Sequence, residues 1–212
     1  MKFGVLGSGP VGQVLARGLA AKGYEAKIGS RSPQKLAAFS AASGLAAGTF
    51  ADVARWAEAL VLAVQGRAAQ DVLRLAGSAN LKGKVVLDAT NPIAEGPPDQ
   101  GVIRFFTGPN ESLMEQLQRA HPEARFVKAF NSVGNALMVD PALPGGRPTM
   151  FFCGNDAEAK RVVAHVIEQF GWEPADMGAA PAARAIEPLC QLWCIPGLLE
   201  GRWSHAFKLL TR

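Results

Sequence analysis

The sequence predicts an α/β fold, a doubly wound and mainly parallel sheet with a small C-terminal helical part. Three observations carry this reading. The first 35 residues spell strand, glycine turn, helix and second strand; apolar runs then alternate with helical patterns as far as Asp176; and from Pro181 onward the alternation gives way to purely helical, apolar sequence. Strands that alternate with helices are laid parallel, because each crossover carries the chain back across the sheet. The boundary falls near Met177, giving a domain of residues 1–177 and a helical segment of residues 178–212.

The opening unit is the most informative. Phe3-Gly4-Val5-Leu6 reads as a buried strand, Gly7-Ser8-Gly9-Pro10-Val11-Gly12 as a turn, Val11–Lys22 as a helix and Ala26–Arg31 as the next strand. In that context Gly-x-Gly-x-x-Gly is the dinucleotide-binding fingerprint of a Rossmann-type domain. Gly7 lets the chain turn sharply, Gly9 lets the backbone approach a pyrophosphate, and Gly12 lets the helix pack close to the strand. The phosphates sit over free N–H groups at the helix start. Pro10 has no N–H to offer, a small loss at the start of a helix.

The end of the second strand selects the cofactor. An NAD site places Asp or Glu about twenty residues beyond the glycines, to accept from the ribose hydroxyls. Here Ser30-Arg31 holds that place and Lys35 follows, with no acid between Lys27 and Lys35. A hydroxyl and two cations suit a 2′-phosphate, so the expected cofactor is NADP(H).

Further along, Pro33–Ser43 reads as a short helix begun by proline. A weak strand at Ala46–Gly48 and a helix near Asp52–Ala57 follow. Ala59–Val64 is a continuous apolar run, as in a strand covered on both faces, and it ends at Gln65-Gly66, on the edge where such sheets bind ligands. A helix at Ala68–Leu75 leads to a strand at Lys84–Asp88. The polar turn Asp88-Ala89-Thr90-Asn91-Pro92 closes that strand, with Asp88 as a turn cap and Asn91 as a further cofactor candidate. Ile93–Asn110, rich in Gly and Pro, is expected to be a long mobile loop. Ser112 and Glu115 form a capping box for a helix to Ala120. Strands at Arg125–Phe130, Thr149–Cys153 and Trp172–Asp176 flank a helix at Ala157–Phe170 capped by Asn155 or Asp156. The tail Pro181–Leu210 is helical, interrupted by Pro188, Pro196 and Gly197, and packs on the body of the protein or on a second subunit.

The whole composition narrows the function classes. A chain of 212 residues can bury a full core without a metal or disulfide staple. Its net charge of +4 comes from scattered Lys and Arg, with no basic run for nucleic acid. No leader and no membrane-length apolar run is read, so a soluble cytoplasmic protein is expected. Cys153, Cys190 and Cys194 form no Cys-x-x-Cys pair, and the pair four apart is read as apolar packing; no metal is expected.

Gly7–Gly12, Gly29-Ser30-Arg31, Val127-Lys128-Ala129-Phe130-Asn131, Cys153-Gly154-Asn155-Asp156 and Phe207-Lys208-Leu209-Leu210 together resemble the family of coenzyme F420-dependent NADP oxidoreductases and their bacterial dinucleotide-binding relatives, over nearly the whole chain. The cytosolic domains of membrane ferric reductases, which use NADPH and flavin, look like cousins. The resemblance implies that a small C-terminal part closes the site and that hydride passes between the nicotinamide and a stacked deazaflavin. It places the pyrophosphate on Ser8 to Val11, the 2′-phosphate on Ser30, Arg31 and Lys35, and the ribose and nicotinamide near Val64 and Asn135. Two departures bear on the substrate. Family members that use the deazaflavin tend to carry a His where Asn131 stands here, and the Asp-x-Thr-Asn-Pro turn with its long loop looks more like the bacterial relatives.

No nucleophile or acid–base constellation stands out, and hydride transfer between two stacked cofactors requires none. The leading expectation is therefore an NADP(H) oxidoreductase whose partner is coenzyme F420 or a flavin (FMN or FAD), held by Asn131, Ser132, Val133 and His205. A reductase of a small carbonyl or imine substrate is the runner-up. It is disfavoured because such enzymes add a long helical domain with a catalytic Lys, and few residues remain after Asp176. A non-catalytic NADP(H) sensor is the alternative from another class. A small-molecule partner and a homodimer are expected.

Overall fold

The computed structural model describes residues 1–211; Arg212, the last residue of the expected C-terminal segment, lies outside them. The chain runs β1 (Lys2–Leu6), α1 (Pro10–Ala21), β2 (Glu25–Gly29), α2 (Ala37–Ser43), β3 (Ala46–Gly48), α3 (Phe50–Trp56), β4 (Ala59–Leu62), α4 (Ala69–Ala76), α5 (Ser78–Leu81), β5 (Val85–Asp88), α6 (Leu113–Ala120), β6 (Arg125–Lys128), β7 (Thr149–Gly154), α7 (Ala157–Gln169), β8 (Glu173–Asp176), α8 (Ala183–Ile186) and α9 (Leu189–Glu200). The strands form one sheet of order β3-β2-β1-β4-β5-β6-β7-β8. β1 to β6 are mutually parallel, and the order reverses between β1 and β4. That crevice is where open α/β sheets bind ligands.

Alternation along the strands builds two cores. Phe3, Val5, Ala59, Val61, Leu87 and Val127 face α1, α2 and α7. Leu6, Leu60, Leu62, Val86 and Phe126 face α3, α4 and α6 and, from the tail, Ala180, Ala183 and Ile186. Lys128 shares the parity of Phe126, and Asp88 that of Val86, so two charged residues point into the second core. Local capping agrees with the sequence. Ser112 and Glu115 form the reciprocal box at α6, and Asp156 accepts from Ala159 N at 2.8 Å to start α7.

Four local expectations are corrected. β7 runs antiparallel to β6, because the connection from Lys128 to Thr149 holds only the short 3-10 turn Asn135–Leu137 and no crossover helix. α5 was not anticipated, since its four residues are too few to show a period. The loop 93–110 is not loose. It folds back on itself through Ala94 N to Arg104 O at 2.8 Å and Phe106 N to Pro92 O at 2.9 Å, and Gln191 of α9 donates to Ile103 O at 2.8 Å. The tail is helical only to Glu200: Pro196 stands inside α9 without ending it, and the stop comes at Gly201, φ 69°. Beyond that point the tail extends along the start of β7, with Thr149 N bonded to Phe207 O at 2.9 Å.

Candidate functional site

A cleft of about 1230 Å³ opens over the ends of β1, β2, β4 and β5. Its floor is the turn Gly7–Val11. Gly7 has φ 143°, and a Cβ there would stand 2.0 Å from the Ala63 carbonyl oxygen, so the turn admits no side chain. Gly12 is equally constrained from the other side, its absent Cβ 2.0 Å from Gly7 O, which brings α1 against β1. Gly9 differs from both. A Cβ built there meets nothing within 4 Å, so the backbone faces open space.

Gly9 is also the N-cap of α1, and no side chain caps that helix. Gly9, Pro10 and Val11 line the cleft, so the free end of the helix lies at its floor, a ready anion site. At the β2 end stand Ser30, buried and accepting from Ser32 N through Oγ at 3.1 Å, and the exposed Arg31 and Lys35. Among the described residues neither cation joins an ion pair within 4.0 Å, unlike most charged residues of this surface. Val64 and Asn91 line the opposite wall. Sequence reasoning missed Arg67 and Glu95, which form an ion pair at the rim, and the segment Ile93–Gly96 that carries Glu95. The flagged Gln65-Gly66 edge pointed toward the first of them.

The remaining candidates stand outside the cleft. Asn131, Ser132 and Val133 are buried, and Asn135 is exposed on the 3-10 turn. Phe130, just before them, takes φ 60°, a conformation rare for an aromatic residue, as the chain leaves β6. Asn131 pairs with the cleft residue Asn91: Asn131 Nδ2 donates to Asn91 Oδ1 at 3.1 Å and to Ile186 O at 3.0 Å, and Asn91 Nδ2 donates to Asn131 O at 2.7 Å. His205 lies in the tail against Trp193, and the edge of that indole approaches Gly134.

Behind Asn91 is the largest surprise. Lys128, 0% exposed, bonds Asp88 Oδ2 at 2.7 Å, Glu187 Oε1 at 2.9 Å and Thr90 O at 2.8 Å. Burial alone would push its ammonium toward the neutral form, but the two carboxylates outweigh that and hold its pKa above the ordinary lysine value. Glu187 in turn accepts from Leu113 N and Met114 N at 2.9 and 3.0 Å, capping α6. Asp88 Oδ1 takes Thr90 N and Oγ1 at 2.9 and 2.6 Å, the turn-capping role its position suggested.

The sheet, the capless helix over its crevice and the flanking cations define a Rossmann protein built for a dinucleotide. Comparison with known proteins is in keeping with this. Residues 2–92 match the family described as NADP oxidoreductase, coenzyme F420-dependent. A crystal structure from Arthrobacter sp. FB24, of a protein named as a candidate F420-dependent NADP reductase, superposes with a TM-score of 0.92 at 35% identity, covering 100% of both chains. Metalloreductase STEAP3 of Rattus norvegicus is 32% identical over 93% of this chain, and the F420-dependent NADP reductase of Methanocaldococcus jannaschii 34% identical over 53% of it. The chain spans only 39% and 50% of the length of those two relatives. It belongs to the family of coenzyme F420-dependent NADP oxidoreductases.

Proposed function

We propose that the chain binds NADP(H) in this cleft and moves hydride between the nicotinamide and a second flat redox partner, coenzyme F420 or a flavin. The observation that carries the reading is the conjunction, in one cleft, of an uncapped helix start beneath open space at Gly9 with two cations beside Ser30 that no described residue pairs. The α1 N–H groups and the Ser8–Val11 backbone receive the pyrophosphate, while Ser30, Arg31 and Lys35 receive the 2′-phosphate. In the order β2-β1-β4-β5, Val64 stands two strands and Asn91 three strands from β2, at the nicotinamide end. The Arg67–Glu95 pair covers the rim and limits water. When bound, the nicotinamide supplies or accepts the hydride; the chain contributes position and shielding, which is what transfer between stacked carriers needs.

On this reading the acceptor lies against Asn91 and Ile93. The Asn131–Asn135 stretch and His205, joined through Gly134 and Trp193, support that side from behind, and the segment from residue 178 on closes it. α9 leaves Leu192, Leu198 and Leu199 exposed, and we assign that face to a second copy of the chain in a cytoplasmic homodimer.

The test is calorimetry with NADPH and NADH, followed by anaerobic absorbance of NADPH with F420, FMN or FAD supplied separately. NADPH should bind at least about tenfold tighter than NADH, and its absorbance should fall only when a flavin or deazaflavin is present. Equal affinities, or rapid turnover of a simple ketone or imine without such a cofactor, overturn the proposal.

A further inference from the structure

Two separate chains of polar contacts leave the cleft wall and reach the same turn of the C-terminal segment. One runs from Thr90 O to Lys128 Nζ and on to Glu187. The other runs from the Asn91 side chain to Asn131 Nδ2 and on to Ile186 O. Thr90 and Asn91 are consecutive, as are Ile186 and Glu187, so the two chains clamp one peptide of the wall to one peptide of the tail. The Lys128 ammonium donates to Thr90 O and lies within ion-pair distance of both Asp88 Oδ2 and Glu187 Oε1. The wall itself has no slack on its cleft side: a Cβ on Gly66, which lines the cleft, would stand 2.1 Å from Asn91 O.

We propose that Lys128 and Asn131 are positioning residues that fix the Thr90–Asn91 wall against the Ile186–Glu187 turn, so that filling the cleft and docking the C-terminal segment are one linked equilibrium. Neither side chain touches the nucleotide. Apolar residues would fill the same volume at comparable stability, as buried ion pairs seldom outdo them. What an apolar core cannot do is hold two carbonyl oxygens and an amide in set directions. Linkage is reciprocal, so a nucleotide that prefers the fixed wall must tighten the tail by the factor with which the docked tail tightens nucleotide binding.

The inference rests on the cleft being the NADP(H) site, and the experiment separates the two claims. Hydrogen exchange of residues 183–200 is measured on the full chain with and without saturating NADP⁺, with calorimetry in parallel. NADP⁺ should slow exchange there by about fivefold or more. In Asn131→Ala the nucleotide should still bind, about five- to tenfold more weakly, and the tail should no longer respond; Lys128→Met, which leaves Asp88 and Glu187 without their cation, should lose the same response and also melt well below the parent. If NADP⁺ binds the unmutated chain and the tail's exchange does not change, the coupling is wrong and the cleft assignment stands. If NADP⁺ does not bind at all, both fall. Should either variant fail to fold, the unmutated chain still decides between these outcomes.

Discussion

His205 lies stacked on Trp193, ring centroids 5.0 Å apart and planes at 23°, and each ring bonds the other residue's carbonyl: Trp193 Nε1 donates to His205 O at 2.8 Å and His205 Nε2 donates to Trp193 O at 3.0 Å. Trp203 packs on the same indole at 5.4 Å. This closed exchange leaves the imidazole committed to the tail. His205→Ala should lower the melting temperature by about 2–6 °C, an aromatic contact and a hydrogen bond being worth roughly 1–2 kcal/mol in a chain of this size. NADPH affinity should stay within about twofold. Calorimetry and a thermal melt check both; a large loss of affinity at unchanged stability would return His205 to the cleft.

Gly7 and Gly9 should separate stability from binding. Gly7→Ala forces a side chain into the Ala63 carbonyl at positive φ and should cost about 2 kcal/mol or more of stability. Gly9→Ala meets no protein atom and should melt within about 1–2 °C of the parent. It should nevertheless lose roughly tenfold or more in NADPH affinity, because its methyl occupies the space expected for the pyrophosphate. Equal behaviour of the two variants would refute the assignment of the floor.

Arg31 and Lys35 are expected to act on the 2′-phosphate alone. A charge-assisted hydrogen bond contributes roughly 1.5–3 kcal/mol, so Arg31→Asp should weaken NADPH about ten- to a hundredfold and spare NADH. Titration of both nucleotides against both proteins reads this directly.

Arg184 holds Glu115 down to about 2, the largest cause being their hydrogen-bonded pair, with further help from the Ser112 cap. The sign follows from linkage. A carboxylate depressed in the folded chain contributes stability that is complete above its unfolded pKa, near 4.3, and lost as pH falls toward 2. Glu115→Gln should therefore flatten the acid limb of the melting-temperature profile between about pH 4.5 and 2, while costing only a few degrees at pH 7. An unchanged acid limb would show the pair to be idle.

The three thiols should differ in reactivity. Burial pushes Cys153 up to about 12, and Cys190, which donates to Cys194, is raised by that bond and by burial, whereas the same bond lowers Cys194. Cys194 is also less buried than the other two. Under limiting iodoacetamide, mass spectrometry should find Cys194 modified first, ahead of the two buried thiols Cys153 and Cys190.

What could be read from the sequence was what is local in it. The glycine turn, the Ser112–Glu115 box and the strand from Ala59 each declare themselves within a few residues, and each stands where it was expected. The cleft residues from Gly7 to Val11 and at Ser30, Arg31, Lys35, Val64 and Asn91 come together for the same reason, as ends of neighbouring parallel strands. The direction of β7 escaped because it depends on a missing crossover helix, not on anything in the strand. Lys128 escaped because its partners lie at Asp88 and Glu187; only its odd place in an apolar strand, level with Asp88 in the sheet register, gave a signal. Asn131 looked exposed to ligand because it ends a central strand, and the tail that covers it is distant in sequence.

Glu187 completes a group whose other members are synthesised much earlier. As the ribosome delivers the chain, β5, α6 and β6 all emerge ahead of it, so the nascent sheet carries Lys128 with one of its three acceptors wanting and α6 with the N–H groups of Leu113 and Met114 uncapped. A chain truncated just before residue 187 keeps all eight strands but buries Lys128 short of one carboxylate, which should lower its stability by about 3–5 kcal/mol. The order of synthesis therefore leaves this buried group incomplete until the chain has passed residue 187.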